Sequence, residues 1–198
     1  MHFLSEDLEN YIAKHSESEP ILLQELSRET HLKVIQARMI TGHFQGRVLS
    51  LLSHIIAPKK VLEIGTYTGY SALCLAEGLQ QDGSLHTIEV NPELAQIQRK
   101  YFEKSGYKNQ IHAHLGNALE IIPQLEGPFD LVFIDAEKKQ YDAYFEAVLK
   151  VSRPGTVILS DNVLWTGKVV EPLDPKDKTT QALLDYNTKL ASDSSVQT

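Results

Sequence analysis

The chain has 198 residues, 42% of them hydrophobic and 23% charged, and a formal net charge of −7. Its length and composition are those of one globular domain that can bury a substantial core. The acidic balance disfavours nonspecific binding to nucleic-acid phosphates, and no apolar run approaches the roughly 20 residues needed to span a bilayer.

The single cysteine, Cys74, excludes an internal disulfide and suits a reducing compartment. Because it lies in the apolar segment 72–76, we expect a buried structural thiol rather than a nucleophile. Residues 1–7 show no basic region followed by a long apolar stretch, so no signal peptide is visible. We therefore predict a cytoplasmic protein.

The first 58 residues form a predicted helical extension. Leu8, Tyr11 and Ile12 share one helical face. A second, stronger apolar face is predicted just before Pro58. Its members are Val48, Leu49, Leu51, Leu52, Ile55 and Ile56.

After Pro58 the pattern changes to alternating strands and helices. Asn91 and Pro92 are typical of a helix start, as N-cap and first helical residue. This alternation predicts an α/β, Rossmann-like, doubly wound and mostly parallel sheet with helices on both faces. We predict one domain, 1–198, with an extension at 1–58 and a core at 59–198. Strands are predicted at 60–64, 84–90, 110–115, 130–135 and 156–159, and helices at 70–79, 118–125, 141–151 and 179–190.

The turn after the first predicted strand contains Gly65 and Gly69, at a position where nucleotide-like cofactors bind in such folds. Its Gly-x-x-x-Gly spacing differs from the Gly-x-Gly-x-x-Gly of a dinucleotide site. A cofactor without phosphates, such as S-adenosylmethionine, does not require the latter. Glu89, at the end of the second strand, is placed to accept hydrogen bonds from two ribose hydroxyls. The turn alone is a weak signal, and Glu89 and Asp135 strengthen it.

Three oxygen ligands follow two neighbouring buried strands. Asp135 ends one strand, and Asp161 and Asn162 end the next. Ligands in open α/β sheets bind outside the carboxyl ends of the strands, so these side chains are predicted to share one crevice. Without His or Cys, the set suits Mg²⁺, Mn²⁺ or Ca²⁺. The alternative is that each Asp caps the helix or turn that follows it.

Three segments together resemble a known family. These are residues 62–71, 133–138 and 161–167, with Asp161 standing 26 residues after Asp135. They are similar to class I S-adenosylmethionine-dependent methyltransferases, specifically the metal-dependent O-methyltransferases that include caffeoyl-CoA and catechol O-methyltransferases. The match runs from about residue 39 to residue 170.

The resemblance implies a role for each matching position. Asp135 would serve both cofactor and metal, with Asp161 and Asn162 completing the protein's metal ligands. Glu89 would hold the cofactor's ribose. The other implied cofactor contacts are Glu63, Gly65, Thr66 and Ser71 at the methionine portion, Ala118 at the adenine, and Thr41 as a cover. Asn117 stands where the family usually has Asp, which should weaken the adenine site slightly.

In the implied reaction a catechol-like acceptor binds the metal through two adjacent hydroxyls, and the cation lowers the pKa of the reacting one. Lys138 would take the proton as general base, with its pKa depressed by the cation and Lys139. A solvated lysine is the alternative. Trp165 would form an aromatic wall for a flat substrate, or pack against the last helix instead.

Two histidines outside this region, His112 and His114, alternate on a strand and share a face. No third ligand is within reach by sequence, so we interpret them as a pair that binds no metal.

The chain departs from the family at its C-terminus. Members normally continue with two strands that end the sheet as an antiparallel hairpin, whereas this chain stops at Thr198. We therefore expect a truncated sequence whose strand at 157–159 is an unprotected edge, and a chain less stable than a version with the hairpin.

Three functions remain open. The first is methylation of a vicinal-diol small molecule, and the second is the same chemistry on a hydroxylated uridine in tRNA. The acidic surface counts against the second. The third is a non-catalytic cofactor-binding or interaction protein. The resemblance also implies a homodimer.

Overall fold

The structure is a computed structural model that describes residues 5–198; residues 1–4, part of the segment searched for a signal peptide, lie outside the described range. Within that range, no helix combines the length and apolar character needed to cross a membrane. The strands are β1 Lys60–Ile64, β2 Ser84–Glu89, β3 Ile111–Leu115, β4 Leu131–Ile134 and β5 Val157–Ser160. The α-helices are α1 Glu6–His15, α2 Ile21–Lys33, α3 Gly42–Ile56, α4 Tyr70–Ala76, α5 Ala95–Lys104, α6 Ala118–Ile121, α7 Tyr141–Leu149 and α8 Lys178–Ser192.

The five strands form one parallel sheet in the order β3-β2-β1-β4-β5. Strand β1 lies at the centre, where Ile64 is in register with Ile88 of β2 and Ile134 of β4. The predicted parallel α/β fold is confirmed. As expected, β5 lies at an edge of the sheet formed by the described residues.

Helices cover both faces of the sheet because successive strand residues point to opposite sides. On one face Val61, Leu85 and Leu131 pack with residues of α2 to α5. On the other face Leu62 and Val132 pack with residues of α6, α7 and α8. The doubly wound arrangement thus gives the sheet two apolar layers.

Cys74 lies in the first of these layers and is fully buried. Burial raises the pKa of its thiol to about 12. A thiol in this state is rarely ionised near neutral pH, which agrees with the predicted structural role.

Helix α3 packs on α4 through small side chains rather than through the whole predicted apolar face. Gly46 faces Tyr70 and Cys74 so closely that an added Cβ would lie 2.7 Å from the Tyr70 ring. Ser53 is also buried and donates a hydrogen bond of 2.6 Å to the carbonyl of Leu75. Of the six residues in that predicted face only Leu49 is buried, and three are exposed: Val48, Leu51 and Ile55.

A cluster of three histidines lies between β2 and β3. The strand register places His86 beside His112, and His86 Nδ1 is 3.0 Å from His114 Nε2. The rings of His86 and Phe129 meet edge to face. His86 was not predicted to join the pair on β3, because the pairing of β2 with β3 is invisible in the sequence of β3 alone.

We expect the His86→Phe variant to lose less stability in acid than the unmodified chain. Burial, with the neighbouring His112 and His114 and with Lys60, lowers the pKa of His86 to about 4. The unfolded chain therefore takes up a proton that the folded chain excludes, and stability falls as the pH drops from about 6.5 towards 4. The Tm of each chain, measured by thermal unfolding at pH 7 and pH 5, tests this expectation.

A control replaces His31, which is exposed and hydrogen bonds only within its own helix, with Phe. The difference in Tm between the two pH values should shrink in His86→Phe and stay unchanged in His31→Phe. Equal differences in all three chains would contradict the assignment.

Candidate active site

Backbone hydrogen bonds bring the carboxyl ends of the central strands together. The amide of Gly65 donates to Ile88 at 3.0 Å, that of Asp135 to Ile64 at 2.9 Å and that of Asp161 to Ile134 at 2.9 Å. The turn after β1 and the acidic residues after β4 and β5 therefore lie along one edge of the sheet, as predicted.

The turn after β1 requires glycine at its first position. Gly65 has φ +102°, and an added Cβ would lie 1.9 Å from the backbone oxygen of Asp135. Gly69 has φ +96° and precedes α4. The missing Cβ of Gly65 lets the ends of β1 and β4 approach each other, and the missing Cβ of Gly69 leaves room for the Phe102 ring.

A carboxyl group with one unpaired oxygen is buried beneath this turn. Glu63 is fully buried, and Thr87 donates a hydrogen bond of 2.5 Å to its Oε2. Among the described residues, Glu63 Oε1 has no hydrogen-bond partner. A buried oxygen without a partner is costly unless a ligand supplies a donor or a positive charge. The methionine portion of S-adenosylmethionine carries an ammonium group that fits this requirement.

Thr66 shapes the turn with all of its polar groups. Its hydroxyl lies 2.5 Å from that of Thr87, its amide donates to Ile88 and its carbonyl accepts from Gly69. Its predicted contact with the cofactor stays a prediction.

We expect the Glu63→Gln variant to flatten the pH dependence of stability in the cofactor-free chain. Burial raises the pKa of Glu63 from its usual 4.5 to about 8. Between these values the folded chain keeps a proton that the unfolded chain loses. Stability is therefore highest below about 4.5 and falls towards pH 8, by at most about 1.4 kcal/mol per pH unit.

The free energy of unfolding at pH 5, 6, 7 and 8 measures this effect. The same variant should bind S-adenosylhomocysteine (SAH) more weakly, because it removes the carboxylate expected to face the ammonium group of the cofactor. If the free energy of unfolding fell as steeply between pH 5 and 8 in Glu63→Gln as in the unmodified chain, Glu63 would not be protonated in the folded chain.

Glu89 is held in one orientation by the backbone. Its Oε2 accepts a hydrogen bond of 2.7 Å from the amide of Tyr67, and its Oε1 accepts from Val90 and Asn91 at 2.9 and 2.8 Å. Three donors from two loops fix the carboxylate at the end of β2. A side chain this constrained suits the positioning of two ribose hydroxyls, the role that the resemblance implies.

The remaining predicted cofactor positions lie at helix starts. Ser71 is buried in the first turn of α4, and Thr41 directly precedes α3. Ala118 begins α6, where the Asn117 side chain accepts a hydrogen bond of 3.0 Å from the amide of Leu119. Asn117 therefore caps this helix, so the helix start keeps its shape despite the departure from the family pattern.

Two acidic residues are neighbours at the ends of β4 and β5. Asp135 and Asp161 directly follow the registered pair Ile134 and Ser160, and Lys138 Nζ contacts both, at Asp135 Oδ1 and at the Asp161 carbonyl. Burial raises the pKa of Asp161, and the negative charge of Asp135 raises it further. Within residues 5–198 no third His, Cys, Asp or Glu joins them in a metal-binding arrangement. Two neighbouring carboxyl groups fit a hard divalent cation, with the amide oxygen of Asn162 as the remaining predicted protein ligand.

The backbone at Asn162 has φ +59°, a left-handed conformation that Asn tolerates better than most residues. This conformation starts the turn in which Asn162 accepts a hydrogen bond of 3.0 Å from the amide of Trp165. The residue is exposed beside Asp161, so its side chain is accessible to a ligand.

Lys138 connects the two strand ends. Its Nζ lies 3.0 Å from Asp135 Oδ1, 2.6 Å from the hydroxyl of Tyr141 and 3.3 Å from the carbonyl of Asp161. Only 10% of its side chain is exposed. The alternative of a solvated lysine does not describe this position. Its role as general base stays a prediction.

Trp165 packs against the apolar layer that contains α7 and α8. Its indole Nε1 is buried and has no hydrogen-bond partner among residues 5–198. Both Trp165 and the following Thr166 have positive φ, at +46° and +54°. The packing against the last helix is therefore present, and the role as a substrate wall stays a prediction.

Two residues of this site were not predicted. Gln45 of α3 donates a hydrogen bond of 2.7 Å to Asp161 Oδ1 from 116 positions away. Tyr141 begins the helix predicted at 141–151, and its hydroxyl donates to the carbonyls of Ile134 and Asp161 at 3.1 and 3.0 Å. The spacing of three between Lys138 and Tyr141 was a usable signal, because such residues adjoin on a helix. Gln45 offered no signal.

Comparison with known proteins agrees with this geometry. A family model described as O-methyltransferase matches residues 13–198. A catechol O-methyltransferase of Niastella koreensis is 38% identical over 156 residues, which are 77% of this chain and 70% of that protein. Caffeoyl-CoA O-methyltransferase 2 of Zea mays is 37% identical over 206 aligned residues, covering 98% of this chain and 78% of that protein.

The fold agrees with a solved structure of the same class. The O-methyltransferase from Bacillus cereus, determined in complex with SAH, superposes with a TM-score of 0.89 at 32% identity. The alignment covers 95% of this chain and 86% of that one. The turn after β1, the fixed Glu89 and the match over residues 13–198 lead to one conclusion: the chain belongs to the family of S-adenosylmethionine-dependent O-methyltransferases.

Proposed function

We propose that this chain is a divalent-metal-dependent enzyme that methylates one hydroxyl of a vicinal-diol, catechol-like small molecule. The observation that carries this proposal is that Asp135 and Asp161 lie at the adjacent ends of β4 and β5, beside the turn after β1, with Lys138 in contact with both. The names of the Niastella and maize relatives, catechol and caffeoyl-CoA O-methyltransferase, support the acceptor class.

The cofactor would be S-adenosylmethionine, held by its ammonium group at Glu63 and by its ribose at Glu89. Thr41, Ser71 and Ala118 would border it. The cation would be Mg²⁺, with Mn²⁺ or Ca²⁺ as alternatives, and its ligands would be Asp135, Asp161 and Asn162. When bound, it would orient both acceptor oxygens and lower the pKa of the reacting hydroxyl.

The contribution of the protein is then mainly orientation and proton transfer. Fixing the acceptor oxygen in line with the sulfonium methyl can supply about 7 kcal/mol or more of barrier reduction. Lys138 would accept the hydroxyl proton at Nζ. In the present geometry this Nζ donates to three oxygens, which is the arrangement of a charged ammonium group.

The test is transfer of labelled methyl from S-adenosylmethionine to a 3,4-dihydroxyphenyl acceptor, with Mg²⁺ and with a chelator. A 4-hydroxyphenyl acceptor of the same size is the control for the second hydroxyl. Transfer that requires both the metal and the diol supports the proposal, whereas transfer that survives the chelator overturns the metal assignment. Binding of S-adenosylmethionine without any transfer would favour the non-catalytic alternative.

The tRNA alternative finds little support in the charges near the site. Lys33 pairs with Glu29 at 2.8 Å, Arg47 with Glu77 at 2.8 Å and Lys138 with Asp135 at 3.0 Å. Cations that are paired with carboxylates attract phosphates weakly. A gel shift with tRNA tests this alternative.

Homodimerisation and a cytoplasmic location also belong to this proposal. The exposed residues of α3 support the first, because Phe44, Val48, Leu51 and Ile55 recur at helical spacing on its outer face. A contiguous apolar stripe of this kind suits pairing with a second copy. The mass of the chain in solution, measured by light scattering, tests it.

A further inference from the structure

A residue of α3, a helix of the N-terminal extension, contacts Asp161 of the Asp135–Asp161 pair. Gln45 Nε2 donates a hydrogen bond of 2.7 Å to Asp161 Oδ1, and this contact is partly buried. Asp161 Oδ2 has no donor among the described side chains and backbone amides. One oxygen of the carboxyl is therefore fixed by the protein, and the other is left for a ligand.

The rest of Asp161 is held in place independently of Gln45. Its amide donates to Ile134 at 2.9 Å, and its carbonyl accepts from Tyr141 at 3.0 Å and from Lys138 at 3.3 Å. Three hydrogen bonds thus fix the backbone of Asp161. The hydrogen bond from Gln45 is the one that the carboxyl group itself receives from the described residues.

Gln45 can hold the Asp161 carboxyl in one orientation because hydrogen bonds and close packing join α3 to α4. Arg47 forms two hydrogen bonds with Glu77, of 2.9 and 2.8 Å, and Ser50 adds a third of 2.5 Å to the same carboxylate. The close packing at Gly46 allows no gap between the helices. A side chain that projects from so rigid a helix can fix the orientation of its partner.

We propose that Gln45 is a positioning residue that fixes the Asp161 carboxylate, so that Oδ2 faces the site of a divalent cation. This inference rests on the proposed function, since it takes Asp161 as a metal ligand. Groups that hydrogen bond to metal ligands typically change metal affinity by about 10- to 100-fold when they are removed. The affinity for the cation therefore depends on a residue outside the α/β core.

The test measures Mn²⁺ binding to the full chain without cofactor, using the electron paramagnetic resonance signal of free Mn²⁺. Gln45→Met keeps the length of the side chain and removes the amide. Gln24→Met is the matched control, because Gln24 makes one amide hydrogen bond, of 2.6 Å to the carbonyl of Glu19, away from the site. Asp161→Asn is the reference for loss of a ligand.

We expect the Kd for Mn²⁺ to rise about tenfold or more in Gln45→Met and to stay unchanged in Gln24→Met. Gln45→Asn, which is too short to reach Asp161, should behave like Gln45→Met and serves if the latter folds poorly. Excess Mn²⁺ should restore methyl transfer in both Gln45 variants. A purely structural role for Gln45 would instead lower the Tm of the metal-free chain and leave the Kd unchanged.

The outcomes separate this inference from the proposed function. If Asp161→Asn loses Mn²⁺ while Gln45→Met and Gln45→Asn bind it like the unmodified chain, the role of Gln45 is overturned and the metal site stands. If Asp161→Asn binds Mn²⁺ normally, both the metal assignment and the inference fail.

Discussion

The Asp135→Asn variant should lower kcat/KM for methyl transfer by roughly 10³-fold, equivalent to about 4 kcal/mol of transition-state stabilisation. Asparagine keeps the shape of the side chain and removes the charge that the proposed cation needs. It also leaves the nearly buried Nζ of Lys138, 3.0 Å away, without its carboxylate partner. We therefore expect weaker Mn²⁺ binding together with the loss of rate.

Asp142→Asn is the matched control for this change. Asp142 is an exposed carboxylate in the first turn of α7 that pairs with Lys189, so the variant loses an ion pair of little energetic value. Its kcat/KM should remain within about twofold of the unmodified value. If Asp135→Asn also remained within that range, Asp135 would not be a ligand of the reacting complex.

The position of the site could be predicted because it depends on topology. Asp135 and Asp161 each follow a short apolar strand, and the strands of a parallel α/β sheet end at the same edge. The same reasoning applies to Glu89 at the end of β2. Part of the core between the sheet and helices α2 to α5 could also be predicted. An apolar run such as 72–76 is buried whether it forms a helix or a strand.

Contacts that depend on tertiary packing could not be predicted. Gln45 lies in a helix whose orientation is set by the Arg47–Glu77 pair and by the space at Gly46, none of which follows from helical periodicity. For the same reason the periodicity did not show that Leu51 and Ile55 of α3 are exposed. Strand register brought His86 to His112, and register is fixed by the whole sheet rather than by one strand.

The Gly65→Ala variant should lose both stability and cofactor binding. Gly65 has φ +102°, and its new Cβ would lie 1.9 Å from the backbone oxygen of Asp135. Backbone strain and steric displacement together cost about 3 kcal/mol or more, which corresponds to a fall in Tm of roughly 6–12 °C or more. To relieve the contact, the end of β1 must move away from the end of β4, and that movement displaces the turn that carries the predicted cofactor contacts. We expect SAH binding, measured by calorimetry, to be lost.

Substitutions at two other glycines distinguish backbone strain from steric contact as the cause of this loss. Gly155 also has positive φ, +94°, but nothing lies within 4 Å of an added Cβ, so Gly155→Ala tests backbone strain alone. Gly106 has open space and no such φ, so Gly106→Ala should change little. Because the contact with Asp135 is absent at both positions, both controls should bind SAH normally, and only Gly65→Ala should combine a large fall in Tm with lost binding. If Gly65→Ala merely matched Gly155→Ala in Tm and SAH affinity, close approach of β1 to β4 would not be what builds the cofactor site.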